Sequence, residues 1–151
     1  MATVEMMKNP LNTDSSVKNC CNYIATSSEK NEYGRYVDAR GISVDSAYKD
    51  ISEMQAMLYK VSGRRGYHLC VSFEHEAPLT PYDIYQIAYE ISEWFYPEYQ
   101  VLYAVHTNKK HLHIHFYINT VSLLDGHKLH LGYKDMYLLQ KKVDRLVEKY
   151  S

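Results

Sequence analysis

One stretch limits what this chain can fold into more than any other: Val105-His106-Thr107-Asn108-Lys109-Lys110-His111-Leu112-His113-Ile114-His115-Phe116-Tyr117-Ile118-Asn119. From His111 onward, imidazoles alternate with apolar residues. That is the period of a β-strand, whose successive side chains point to opposite faces. One face carries His111, His113 and His115. The other carries Leu112, Ile114, Phe116 and Ile118 and is fit for a core. Packing alone has little use for three adjacent imidazoles, whereas a metal ion does. The preceding residues, Gln100 to His106, read as a second strand, joined to the first by the turn Thr107 to Lys110. In such a hairpin His106 stands opposite His111, close enough across the strands to share a ligand. Half of the eight histidines are thereby gathered on one face. Imidazoles around an ion leave positions for water or substrate, so the pattern points to catalysis. The ion would act as a Lewis acid on a phosphoryl or carbonyl oxygen. His68, His75, His127 and His130 are scattered and read as ordinary polar residues.

The remaining chain supplies helices to cover this sheet. Residues Ala2 to Lys8 suit a short strand, which Asn9-Pro10 ends. Ser15 or Ser16 caps a helix running to about Ser27. Its apolar stripe is Val17, Cys20, Cys21 and Ile24. Tyr23 lies about 110° from the centre of that stripe and is free to project into a cleft. Residues Glu29 to Arg40 read as a loop containing a short strand. Asp45 caps a second helix, with Ala47, Ile51, Met54, Leu58 and Val61 on its apolar face. The basic turn Ser62-Gly63-Arg64-Arg65-Gly66 follows, then a strand from Tyr67 to Glu74. Thr80-Pro81 starts a third helix, with Pro at its first position. Ile84, Ile87, Ala88, Ile91, Trp94 and Phe95 form its inner face. After the hairpin, Asp125-Gly126 signals a turn, and His127 to Leu131 suits a short edge strand. A last helix from about Lys134 to Tyr150 turns Met136, Leu139, Val143, Leu146 and Val147 inward. The expected fold is α+β: a central antiparallel sheet with helices packed on one face and the histidine-bearing face open.

Composition narrows the setting. A chain of 151 residues, 46% hydrophobic and 23% charged, suits one globular domain spanning 1–151. No apolar run approaches the roughly 20 residues of a membrane span, and Met1 to Lys8 lack the basic start and apolar core of a signal peptide. A formal net charge of −1 does not announce nucleic-acid binding, so any basic surface is local. Lys109, Lys110, Arg64 and Arg65, in turns, are the candidate phosphate contacts. The three cysteines, Cys20, Cys21 and Cys70, are odd in number and two are adjacent. They argue against a disulfide framework and for a reducing cytoplasm. With 16 tyrosines, no nucleophile can be picked by rarity.

The motif His113-Ile114-His115 resembles the signature of the HUH endonucleases. The longer string from His106 to His115, followed by Asn119, is similar to the third motif of the relaxases, the mobilisation nucleases of plasmids and conjugative elements. That motif reads His-x-Asp-x-x-His-x-His-x-His. Asn108 stands where the pattern has Asp, so no carboxylate is present there to orient a ligand histidine. Tyr67-His68-Leu69-Cys70-Val71-Ser72-Phe73 looks like the second motif, a strand ending in Ser-Phe. Asn22-Tyr23-Ile24 followed by Lys30 is similar to the first, in which the tyrosine is the nucleophile. Asp125-Gly126 with Lys128, and Val143-Asp144-Arg145-Leu146, match the usual downstream pattern.

The resemblance implies nicking and rejoining of one DNA strand at an origin of transfer, in the bacterial cytoplasm. Tyr23 would become joined to the 5′ phosphate. A divalent ion, Mn²⁺ or Mg²⁺, would be held by His106, His113 and His115. His111 would be a further ligand, a group behind the ligands, or a proton acceptor. The implied partners are single-stranded DNA and accessory relaxosome proteins. Relaxases commonly carry further segments after the nuclease domain, and the expectation here is a nuclease domain alone.

Two other readings compete. Replication initiators place their tyrosine after the histidine motif, on a helix, with lysine four positions on, as Tyr137 and Lys141 stand. A metal phosphoesterase without a covalent tyrosine, or a non-catalytic metal- or DNA-binding module, would use the histidines alone.

Overall fold

The central strands are those of the histidine stretch, and the sheet grows outward from them. The structure, a computed structural model, describes residues 2–27, 36–107 and 111–151. Lys30, Asn108, Lys109 and Lys110 lie outside the described residues. Strand β1 is Ala2–Met6, β2 Val37–Arg40, β3 Gly66–Phe73, β4 Val101–His106 and β5 His113–Asn119. They form one antiparallel sheet in the order β1-β3-β5-β4-β2. The helices are α1 Asp14–Ser27, α2 Ala47–Met57, α3 Pro81–Ser92 and α4 Tyr133–Tyr150. The α+β class and the central antiparallel sheet agree with the sequence reading.

The arrangement of the helices differs from it, because they cover both faces. On one face α3 and α4 bury Leu69, Val71, Val105, Ile114, Phe116 and Ile118. On the other, α1 and α2 pack Val17, Cys21, Ile24 and Ile51 against Leu102, Ala104 and Tyr117. Residues 102, 104 and 106 of β4 and 113, 115 and 117 of β5 share this second face, so the histidine face is partly roofed rather than open. The physical reason is that Leu102, Ala104 and Tyr117 make half of that face apolar. Hydrophobic burial draws a helix onto it.

Local signals set the helix ends. Thr13 and Ser16 cap α1 reciprocally: Ser16 N–H donates to Thr13 Oγ1 and Thr13 N–H donates to Ser16 Oγ, both at 3.0 Å. The helix therefore starts slightly earlier than Ser15 or Ser16 would give. Thr80 and Asp83 make the same reciprocal cap on α3, with Pro81 in its first turn. Helix α2 stops at Met57, short of Val61. Tyr59 takes a left-handed conformation (φ 56°), and Lys60 N–H closes onto the Gln55 carbonyl at 2.8 Å. Leu58 and Val61 are consequently exposed. The expected strand at 127–131 reduces to a single bridge, Val121 to Lys128. All three cysteines are free and buried. Among the described residues, no helix is long and apolar enough to cross a membrane.

A buried polar network fastens α2 to the sheet. Asn119 Oδ1 accepts from Gln55 Nε2 (2.7 Å), and Asn119 Nδ2 donates to Gln100 Oε1 (2.8 Å). Arg65, 2% exposed, donates through Nε to Gln55 Oε1 (2.8 Å) and through Nη1 to Asp14 (2.6 Å). The Arg65 carbonyl accepts from Gln55 Nε2 and from the Tyr117 hydroxyl. The reading of Arg65 as a phosphate contact is thus corrected: its guanidinium is spent inside the fold, tying the starts of α1 and β3 to α2. Arg64 remains at the surface, its guanidinium 4.8 Å above the Tyr67 ring.

Two stability outcomes follow. A Cβ on Gly66 would overlap the Tyr117 ring, so Gly66→Ala should lower unfolding stability by about 1–3 kcal/mol. Arg65→Met should also cost about 1–3 kcal/mol, by leaving Gln55 Oε1 buried without its donor. Arg64→Ala should stay within about 0.5 kcal/mol of the parent. Urea unfolding followed by circular dichroism measures all three.

Candidate active site

The β4–β5 ladder fixes the histidines. His106 pairs directly with His113, and Ala104 with His115. The sequence reading placed His111 opposite His106; the observed register is two residues further on, because β5 begins only at His113. A two-residue shift preserves the face, so His106, His113 and His115 still stand together. Ring centroids of His106 and His115 are 4.4 Å apart, and those of His113 and His115 are 6.1 Å apart. Exposed His111 falls outside the ladder. Its Nδ1 lies 3.3 Å from the Phe73 carbonyl and its ring 6.4 Å from that of His75.

Helix α1 brings Tyr23 over this row. Its ring centroid is 5.5 Å from His106 and 5.4 Å from His115, edge-on to both. Ile24, the next residue, is fully buried beneath the helix, while Tyr23 is 43% exposed. The off-stripe position read from the sequence is therefore what sets Tyr23 at the rim of the site. The Ile24 carbonyl also fixes the nearest imidazole: His106 Nε2–H donates to it at 3.2 Å. A carbonyl only accepts, so the His106 lone pair lies on Nδ1. Burial, then the nearby thiols of Cys70 and Cys20, push the Tyr23 hydroxyl above the ordinary tyrosine range.

A further histidine joins the cluster. His68 on β3 was read as an ordinary polar residue. It is 5% exposed, with its Nε2 2.9 Å from His115 Nδ1 and its ring 6.2 Å from Tyr23. Burial, then the charge of His106, pushes it down to about 4, so it is neutral at ordinary pH. The period-2 pattern of the strand puts His68, Cys70 and Ser72 on one face. Only the pairing of β3 with β5, Cys70 opposite His115, shows that this is the histidine face. Cys70 Sγ lies 4.0 Å from His115 Nε2. A cavity of about 320 Å³ lies against Tyr23 and His68, walled further by Asn9, Asn19 and Cys20.

The residue types suit a divalent ion, although the ring nitrogens of His106, His113 and His115 do not all lie within 4.8 Å of one another in this structure. Three imidazoles from two paired strands share one face, and the His106 lone pair is fixed by a backbone carbonyl. Imidazole suits Mn, Fe, Ni and Zn. Among the described residues, the group whose ligand atoms do all lie within 4.8 Å of one another is Glu98, Asp125 and His127. It stands at the opposite end of the β4–β5 pair. Its His127 is already engaged, Nδ1 with Asp125 and Nε2 with the Tyr99 hydroxyl at 2.8 Å, so it serves the 125–126 turn.

Tyr137 is placed elsewhere. It is exposed on α4, beside Lys141. Helix α4 packs through Leu139, Val143 and Val147 onto the face of Ile114, Phe116 and Ile118. The sheet itself therefore separates Tyr137 from the histidines.

The chain is similar in sequence to known proteins. Protein rlx of Staphylococcus aureus is 30% identical over 108 residues, covering 72% of this chain and 34% of that protein. A second protein rlx of the same species is 29% identical over 106 residues, 70% of this chain and 33% of its own. The chain thus spans about a third of the length of these relatives. No solved structure matches it. The family description "Relaxase: MobA/VirD2-like, nuclease domain" matches residues 22–151, a span that takes in Tyr23, the second-motif strand and the histidine row, and the chain belongs to that family.

Proposed function

We propose that this chain nicks and rejoins one strand of DNA at an origin of transfer, with Tyr23 as nucleophile. The observation that carries the reading is the placement of the Tyr23 ring 5.4–5.5 Å from His106 and His115, while Tyr137 lies behind the sheet. The Tyr23 oxygen attacks the scissile phosphorus in line. A Tyr–O–P bond to the 5′ phosphate forms as the bond to the 3′ oxygen breaks, and the 3′ oxygen leaves as a hydroxyl, taking up a proton equivalent to the one lost from tyrosine. The number of phosphoester bonds is unchanged, so the step reverses without a nucleotide cofactor.

His106, His113 and His115 would hold a divalent ion. That ion would supply Lewis-acid stabilisation of charge on the phosphate oxygens. Mn²⁺ suits imidazole donors better than Mg²⁺, which prefers oxygen. Burial holds the Tyr23 hydroxyl in its protonated form, so the site must favour the charge that develops during attack. The Tyr23 ring, edge-on to His106 and His115, is restrained for the approach. His111, 3.3 Å from the Phe73 carbonyl at the end of β3, stands outside the proposed ligand row. Arg64, exposed at the start of β3, is a proposed contact to backbone phosphate, as are Lys109 and Lys110 from the sequence. The cavity against Tyr23 gives room for the strand beside the reacting phosphate. Accessory relaxosome proteins and a bacterial cytoplasmic setting belong to the same proposal.

The test is formation of a protein–DNA adduct that survives denaturation, with origin single-stranded DNA and Mn²⁺, read on a denaturing gel. Tyr23→Phe should abolish the adduct, and Tyr137→Phe should leave it near the parent level. An adduct that persists in Tyr23→Phe sinks the assignment. His113→Ala combined with His115→Ala should remove Mn²⁺ binding and lower cleavage at least 100-fold, as chelation of the parent should. Unchanged Mn²⁺ affinity in that double variant, measured by calorimetry, would show the metal centre to be misplaced.

A further inference from the structure

The contact between His68 and His115 holds a constraint that the histidine row alone does not express. His68 Nε2 and His115 Nδ1 are 2.9 Å apart and buried, so one hydrogen lies between two ring nitrogens. Only two neutral arrangements exist. If His68 donates, the hydrogen of His115 sits on Nε2 and that nitrogen has no lone pair for an ion. If His115 donates through Nδ1, its Nε2, 4.0 Å from Cys70 Sγ, keeps its lone pair, and His68 must carry its own hydrogen on Nδ1. Nδ1 of His68 is buried and without a hydrogen-bond partner among the described residues. It belongs to a side chain that lines the cavity beside Tyr23.

We propose that His68 is a positioning residue for the metal centre: it accepts the Nδ1 hydrogen of His115 and so fixes that ligand's ring and tautomer with Nε2 toward the ion. This rests on the reading of His115 as a ligand. The two residues come from neighbouring strands, β3 and β5, whose ladder pairs His68 with Tyr117 and Cys70 with His115. The acceptor is held by the sheet itself, and His68 would do for His115 what the Ile24 carbonyl does for His106. A ligand histidine held by a group behind it binds metal about 10–100-fold more tightly than one without it.

The experiment uses the full chain and the metal alone. Calorimetry with Mn²⁺ compares the parent with His68→Ala, His68→Gln and His115→Ala. Unfolding midpoints are measured alongside. His68→Ala should weaken Mn²⁺ binding about 10–100-fold. His68→Gln should recover most of the affinity, because its amide oxygen can accept from His115 Nδ1. In the parent loaded with Zn²⁺, long-range proton–nitrogen NMR should show His115 metal-bound at Nε2 and protonated at Nδ1, with the His68 hydrogen on Nδ1. That spectrum needs no variant to fold, and packing alone does not dictate it. Zn²⁺ on His115 Nδ1 overturns the proposal. So does a His68→Ala variant that binds Mn²⁺ within twofold of the parent while His115→Ala has lost it. If His115→Ala binds like the parent, the metal centre itself has been misread and the proposal falls with it.

Discussion

The site depends on one packing contact, α1 laid across the ends of β4 and β5. Val17, Cys20, Cys21 and Ile24 are buried against Leu102, Ala104 and Tyr117. Each large apolar side chain so buried contributes on the order of 1.5–3 kcal/mol. Burying Ile24 fixes the rotation of the helix, and Tyr23 then has one place to go, over His106 and His115. The same contact delivers the Ile24 carbonyl to His106. Tyr23, the proposed nucleophile, and His106, a proposed ligand, are therefore oriented by a single interface, and an error in helix rotation would disturb both together.

That face of the sheet is divided along its strands. At one end stand the imidazoles with Tyr23 above them. At the other, Asn119, Gln55, Gln100 and Arg65 satisfy one another and anchor α2. Leu102, Ala104 and Tyr117 lie between. Buried polar groups are tolerable when they are hydrogen-bonded, and the Asn119 network meets that condition from within the protein except at Arg65 Nη2, which is buried without a partner among the described residues. The histidine end is different in kind: a neutral imidazole has one lone pair to give, which the proposed ion would use. Asn119 follows the histidine motif in sequence, yet its work is structural, at the far end of β5.

Much of this was legible in the chain. The alternation from His111 to Ile118 fixed the strand and its two faces, and the stripe on α1 put Tyr23 off the buried side. What escaped was non-local. An apolar stripe says that a helix packs, but not on which face of the sheet, so α1 and α2 were expected beside α3 and α4. Histidine alternation fits two registers equally well, and β5 starts at His113 while His111 lies beside the Phe73 carbonyl. His68 looked isolated because its partner, His115, is 47 residues away and comes into contact only through the order β3-β5. Arg65 looked solvated because it sits in a basic glycine turn. Its burial is set by Gln55 and Asp14 from two other elements.

The sheet also decides which tyrosine can serve the histidines. Spacing alone left Tyr23 and Tyr137 both eligible, each on a helix and off its apolar stripe. A sheet with helices on both faces favours Tyr23, since α1 lies on the histidine face and α4 on the other. Helix α4 is committed to its face by Leu139, Val143, Leu146 and Val147, and joins β1 through Gln140, which accepts from Val4 N–H and donates to the Ala2 carbonyl. Moving Tyr137 to the histidines would mean unpacking that helix. Tyr23 needs no such movement, and the proposed nucleophile, already beside the histidine row, would lose little further freedom in an attack.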